Sequence, residues 1–262
     1  MMETLLVDID ACGVATLTLN RPDVHNAFDD ALIVNLCEQL KKLDIDPGVR
    51  VVVIRGSGKS FSAGADLNWM KRTTECSFDQ NLADATDLAD MLWTLNRLSK
   101  PTVAVVQGAA YGGGVGLVAT CDIVIASEHA KFRLSEAMLG IMASVISPYV
   151  LAAIGESQAR RYTLTAEPFG AADAKRIGLV HDVVGANDLE SHADHMVSML
   201  LKNGPAAMGA IKALIFSLQG RPFDETVVRE TAEGIAKIRA SDEGKEGITA
   251  FLEKRKANWV RD

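Results

Sequence analysis

The 262-residue chain lacks a Cys-x-x-Cys pair, a Gly-x-Ser-x-Gly elbow and any surplus of basic charge. It also lacks an apolar run approaching the roughly 18 residues that cross a bilayer. Each absence removes a class of function. Cys12, Cys37, Cys76 and Cys121 are too scattered for a zinc site or a disulfide framework. They read as reduced thiols, small apolar residues buried in a core. The missing elbow weighs against a serine hydrolase. With 27 Lys and Arg against 34 Asp and Glu the net charge is −7, which disfavours nucleic acid and anionic membranes as partners. A local cluster, Lys254-Arg255-Lys256, still suits a phosphorylated ligand. The first residues, Met-Met-Glu-Thr-Leu-Leu-Val-Asp, carry acid where a signal peptide carries base, so a cytoplasmic protein with no membrane role is expected.

Three motifs fail on spacing or company. Gly56-Ser-Gly-Lys-Ser60 follows a β-branched run, but a phosphate loop needs a glycine five residues before Gly58, where Val53 stands. A flexible turn is expected there. Gly114-x-Gly116-x-x-Ala119 has dinucleotide spacing, yet only about two helical turns fit before the next apolar run at Ile123, too few for the usual crossover. His192 and His195, three apart, read as a solvated helix face rather than half of a metal site, and His25, His129 and His181 are isolated. No metal and no separate cofactor are expected.

What is present is an α/β pattern. Val14 to Asn20 alternates as a half-buried strand and stops at Arg21-Pro22-Asp23. Phe28, Leu32, Leu36, Leu40 and Leu43 follow at helical spacing, closed by Asp46-Pro47-Gly48. Val49 to Ile54 is a continuous β-branched run, completing a βαβ unit. Residues 79–98 predict the next helix, and Val103 to Val106 and Ile123 to Ala126 extend a parallel sheet. Beyond Ala126 strands nearly cease, and helices are predicted near 156–164, 171–177, 187–202, 205–218, 223–239 and 241–256, the last capped by Ser241.

Two loops and one carboxylate carry the chemistry. Gly108 to Gly116 holds five glycines in nine positions after an apolar strand, so a helix starting there can aim unpaired amides at a carbonyl oxygen or anion. Phe61-Ser-Ala-Gly-Ala-Asp-Leu67 forms a second small-residue loop after the neighbouring strand. Loops at the ends of adjacent parallel strands meet where open α/β sheets bind ligands, and their amides can share one oxyanion. Glu136 lies in a mostly apolar stretch, where desolvation suits it to general acid or base work; a surface site or an ion pair with Arg133 is the alternative.

Leu19-Asn-Arg-Pro-x-x-x-Asn-Ala27, the Phe61 to Leu67 loop, Lys100-Pro-x-x-Ala104-x-x-x-Gly108-x-x-x-Gly-Gly-Gly114 and Cys121-Asp-Ile123 occur in that order. With them the sequence resembles the enoyl-CoA hydratase/isomerase (crotonase) superfamily almost end to end. Phe61 to Met70, Gly112 to Leu117 and Ile146-Ser-Pro-Tyr149 are most similar to bacterial methylglutaconyl-CoA hydratases. The resemblance implies an α/β spiral of ββα units over 1–195 and a C-terminal helical trimerisation region over 196–262, assembled as a homotrimer or a dimer of trimers. It implies that the amides of Ala65 and Gly113 form an oxyanion hole for a thioester carbonyl and that Glu136 is catalytic. Ala65, Asp66, Leu67 and Asn68 would border the adenine and pantetheine of coenzyme A, which is part of the acyl-CoA substrate. Gly113 and Gly116 would lie beside the acyl group, and Phe251 and Lys254 would meet coenzyme A, often from a neighbouring subunit.

One departure stands out. Gly116 occupies the position of the first catalytic glutamate of ordinary enoyl-CoA hydratases, and Ala143-Ser-Val-Ile-Ser147 replaces the family's Gly-Gly-Thr. The expected consequence is a space or water site beside the acyl chain, partly filled by the substrate's own carboxylate. Trp69, Met70, Met91 and residues 138–150 are expected to shape the acyl pocket. The expected activity is hydration of a branched glutaconyl-type enoyl-CoA such as 3-methylglutaconyl-CoA. The alternatives are a Δ3,Δ2-enoyl-CoA isomerase or hydration of the longer isohexenylglutaconyl-CoA.

Overall fold

The structure, a computed structural model, describes residues 3–260. The chain opens with β1 (Leu5–Ile9), β2 (Val14–Leu19), α1 (Asp30–Ile45), β3 (Val51–Gly56), α2 (Leu67–Thr73) and α3 (Phe78–Arg97). It continues with β4 (Thr102–Val106), β5 (Ala109–Tyr111), α4 (Gly113–Thr120), β6 (Ile123–Ser127), β7 (Lys131–Arg133) and α5 (Ser147–Thr165). Then come β8 (Phe169–Gly170), α6 (Ala171–Ile177), β9 (Asp182–Val184), α7 (Leu189–Leu201), α8 (Pro205–Leu218), α9 (Glu225–Ala240) and α10 (Asp242–Leu252).

Six strands form the main sheet in the order β1-β2-β3-β4-β6-β9, parallel except between β1 and β2. A smaller sheet joins β5, β7 and β8, and Ser62 extends it by a bridge to Ala110. Each turn of the chain therefore places one strand in each sheet and then a helix. β4-β5-α4 and β6-β7-α5 repeat that ββα unit, and β3 begins it with Ser62 as its second strand. This is the spiral that the resemblance implies.

The unbroken β-branched runs follow from burial on both faces. Side chains alternate across a strand, so Val52, Ile54, Ala104, Val106, Val124 and Ala126 enter the large core with α1, α3, α4 and α5. Their neighbours Val51, Val53, Val103, Val105 and Ile125 meet Leu189 and Ala193 of α7 on the other face. The last helix starts at its expected cap, Ser241 accepting from Gly244 N at 3.0 Å, and α1 is capped in the same way by Asp29, which accepts from Leu32 N at 2.9 Å. Cys37 and Cys121 are buried and no cysteine is paired. Burial first, and Asp122 second, push the Cys121 thiol up to about 12, so it is inert at neutral pH.

Two expectations change. The boundary between 195 and 196 falls inside α7, whose Met196, Val197, Leu200 and Leu201 pack on the same core as Leu189 and Ala193. An apolar helix face cannot be divided between domains, so the α/β core runs to Leu201 and the helical region begins at Pro205. Short strands β1, β5, β7, β8 and β9 also appear where no periodicity announced them. Among the described residues no helix is long and apolar enough to cross a membrane.

The tail is fastened to the core by charge. Lys212 of α8 reaches Asp122 at 2.7 Å, whose carboxylate also accepts from Thr102 N at 2.8 Å. Arg50, 6% exposed, donates to the carbonyls of Leu201, Asn203 and Trp259 at 2.7 to 2.9 Å. Arg50→Ala removes all three donations of this buried guanidinium and should lower the unfolding free energy by roughly 3 kcal/mol in urea titrations. Arg50→Lys should recover only part of the loss, because an ammonium cannot span the same fork.

Candidate active site

The 61–66 loop is laced between two backbones. Phe28 N donates to Gly64 O at 2.6 Å and Asp66 N to Phe28 O at 2.7 Å, making a parallel bridge opposite Ala65. On the other side Ser62 N donates to Ala109 O at 3.0 Å, and Tyr111 N to Ser62 O at 2.9 Å. Gly64 has φ +85°, and a Cβ there would lie 2.8 Å from Tyr111 O and 3.5 Å from Gly113 N. Only glycine permits that approach. In a parallel bridge the residues flanking Ala65 make the bonds, so its own N–H turns away from Phe28.

Gly113 opens α4, where a first-turn N–H has no intrahelical acceptor. Neither the Ala65 nor the Gly113 N–H finds an acceptor among the described residues. Both residues line one cavity of ≈ 190 Å³ together with Glu136, Phe28, Trp69 and Leu88, and with residues 141–146. Two amide donors and a helix N-terminus thus meet a carboxyl group in a small apolar enclosure.

The residues at 20–29 brace this arrangement. Asn26 is fully buried; its amide donates to the Ser57 and Ser60 carbonyls at 2.8 Å each, and its oxygen accepts from Arg21 N at 2.9 Å. Arg21 donates to Ala27 O at 2.7 Å and pairs with Asp66 at 2.8 Å and Asp29 at 3.1 Å. Gln107 adds donations to the Gly56 and Ser60 carbonyls at 2.7 and 2.9 Å. The polar positions of the Leu19 to Ala27 motif are thereby explained as scaffolding of the loop.

Glu136 starts a 3₁₀ turn, Glu136–Leu139. Its Oε2 is buried and has no hydrogen-bond partner among the described residues. Arg133 is turned elsewhere, donating to Ala166 O at 2.7 Å. The ion-pair alternative for Glu136 is therefore absent. Burial raises the Glu136 pKa, offset only partly by the backbone N–H groups of Glu136 and Ser135. Such a carboxyl exchanges protons near neutral pH more readily than an exposed one.

The other candidate residues divide. Asp66 is 4% exposed and its carboxylate accepts from Asn68 N and Trp69 N, capping α2. Burial alone would raise its pKa; those two N–H groups and Arg21 outweigh it and hold the carboxyl below its usual range. Its side chain is thus committed within the protein. Leu67 is 81% exposed and Asn68 is also exposed. Phe251, 82% exposed, and Lys254 lie on the tail and do not line this chain's cavity.

Gly116 requires a correction. The expected gap is filled: a Cβ at position 116 would lie 2.9 Å from Cβ of Ile146 and overlap its Cγ2, and Gly116 is not part of the cavity lining. The acyl pocket also differs in part from expectation. Trp69 lines it, held by its Nε1–H to Asp84 at 3.2 Å, but Met91 is fully buried in the core and Met70 does not line the cavity. Phe28 and Leu88 were not anticipated, since on a helical pattern both read as ordinary core positions.

Comparison with known proteins bears on this geometry. The family described as Enoyl-CoA hydratase/isomerase matches residues 10–262. The chain belongs to that family. An Escherichia coli protein named 2,3-dehydroadipyl-CoA hydratase is 34% identical over 92% of this chain and 93% of its own length. The mevalonyl-coenzyme A hydratase of Aspergillus fumigatus is 32% identical over 97% and 94%. The crystal structure of an enoyl-CoA hydratase from Shewanella pealeana superposes with a TM-score of 0.95 at 43% identity, covering 98% of this chain and 96% of that one. The chain is thus an enzyme of the enoyl-CoA hydratase/isomerase family with the fold of its solved members.

The raised Glu136 pKa has a consequence for stability. The folded protein holds this proton more tightly than the unfolded chain, so the group's contribution is lost as pH rises through the folded pKa. Glu136→Gln should therefore raise Tm at about pH 8, with the gain vanishing near pH 4, where the carboxyl is protonated in both states. Thermal unfolding across that range measures it.

Proposed function

We propose that this enzyme hydrates a short, branched enoyl-CoA of the 3-methylglutaconyl type, reversibly, with Glu136 as its single catalytic carboxylate. The observation that carries the reading is the shared cavity of two acceptor-free amides and one unpartnered carboxyl oxygen. The amides of Ala65 and Gly113 receive the thioester oxygen. Glu136 takes a proton from water as its oxygen bonds to C3; the C2=C3 electrons move through C2 onto the thioester oxygen as an enolate. The enolate collapses and Glu136 returns the proton to C2. One carboxylate serves as base and then acid, and the oxyanion hole is used most where charge is greatest.

The cavity supports a short acyl group, because ≈ 190 Å³ holds roughly six water-sized groups. That favours a methyl-branched glutaconyl chain over an isohexenyl one. The names of two relatives denote a dicarboxylic and a 3-methyl-branched acyl group, and both features occur in 3-methylglutaconyl-CoA. Coenzyme A would run past Ala65, Asp66, Leu67 and Asn68, with Phe251 and Lys254 supplied by a neighbouring subunit. Exposed Phe223, Ile235, Ile248, Phe251 and Leu252 on the tail suit burial in a homotrimer or a dimer of trimers. A second reading, Δ3,Δ2-enoyl-CoA isomerisation, is favoured by the presence of a single carboxylate in the lining.

Turnover of crotonyl-, 3-methylglutaconyl- and isohexenylglutaconyl-CoA in heavy-oxygen water separates these readings. Hydration predicts a hydroxyacyl product carrying the label, best from 3-methylglutaconyl-CoA, and a fall of about 10² to 10⁴ in kcat for Glu136→Gln. An unlabelled double-bond isomer would favour the isomerase instead, and full activity in the Gln variant would remove Glu136 from the mechanism.

A further inference from the structure

The cavity wall is not uniform. Ile141 and Met142 are 57% and 79% exposed and lie on a segment that starts from Gly140 at φ +72°. Ile146, by contrast, is 3% exposed, stands at the N-terminus of α5, and rests its side chain directly on the backbone of α4 at Gly116. A β-branched side chain has one strongly preferred χ1 in such a setting. Its Cγ2 occupies the place that a Cβ on residue 116 would take, so the side chain is seated there because position 116 is glycine. The glycine is thus the seat of an apolar wall residue on the same cavity as Glu136, Ala65 and Gly113.

The carbonyl and the proton-transfer group fix where that wall acts. With the thioester oxygen at the two amides and Glu136 serving C2 and C3, an acyl group in this cavity would share it with the buried side chain of Ile146. We infer that Ile146, seated on Gly116, is a specificity-determining residue: it restricts the width of the acyl group at C3 on one side. The inference rests on the hydratase reading and specifies which substituent of the substrate this site discriminates.

The test uses two isomers of one substrate. In (E)- and (Z)-3-methyl-2-pentenoyl-CoA the C3 ethyl and methyl groups exchange places, while thioester, size and polarity stay the same. The wild-type enzyme should prefer one isomer by at least about 10-fold in kcat/KM, since one misplaced methylene against a fitted apolar wall is worth about 10- to 200-fold. Ile146→Ala should reduce that ratio to about 3-fold or less, and Ile146→Val, which keeps the β-branch, to an intermediate value. An isomer ratio unchanged in both variants, with hydration still measurable, would overturn the inference. Turnover of neither isomer nor any other enoyl-CoA would instead overturn the hydratase reading and this inference with it. A packing cycle reads the seat itself: Gly116→Ala should lower Tm, and Gly116→Ala combined with Ile146→Ala should recover part of the loss. Additive losses would show that the two positions do not press on each other.

Discussion

The close approach of two loops at the ends of β3 and β4 is the constraint on which the site depends. A carbonyl oxygen can be held by two backbone amides only if both lack other partners and both are rigid, and these demands oppose one another. Buried N–H groups without acceptors are unfavourable by about 1–3 kcal/mol each, so the chain around them must be held by other bonds. Here the holding is done by neighbours: Phe28 and Asp66 bond around Ala65, while Gly112 N donates to Arg133 O at 2.8 Å just before Gly113. Gly64 allows the loops to touch, and Asn26, Arg21 and Gln107 fix the carbonyls behind them.

Asp66 and Glu136 show how the same functional group is given two jobs. Asp66 is buried and Glu136 half-buried. Asp66 meets two amides and a guanidinium, stays ionised, and pins α2 behind the 61–66 loop. Glu136 meets mostly apolar side chains, holds its proton to higher pH, and keeps one oxygen free. The difference is set by neighbours rather than by the residue, and it separates a structural acid from one suited to proton transfer.

Much of this was legible in the residues, and the limits have physical causes. Long β-branched runs disclosed β3, β4 and β6 because both their faces are buried, and glycine-rich ends disclosed the loops. β5 stayed hidden because Ala109-Ala-Tyr111 has only one buried side chain and pairs through backbone atoms, which leave no periodic trace. β1 was hidden for a similar reason, with Leu5 alone buried. At the site, Glu136 and the two amide loops could be found from local chemistry. The occupancy of the space at Gly116 could not, because Ile146 lies thirty positions on and its contact with α4 exists only in three dimensions. The 195/196 boundary failed because an abrupt end of strands does not mark the end of a core that a helix still covers.

The central claim is that the Ala65 and Gly113 amides polarise a thioester carbonyl, and it can be measured without turnover. Butyryl-CoA labelled with ¹³C at the carbonyl, a saturated thioester that cannot be hydrated, is bound to the enzyme and examined by isotope-edited infrared difference spectroscopy. The account predicts a carbonyl stretch at lower frequency than in solution, moving back toward the solution value when Gly113→Pro removes one N–H. A bound carbonyl absorbing at the solution frequency in the wild-type enzyme would contradict it.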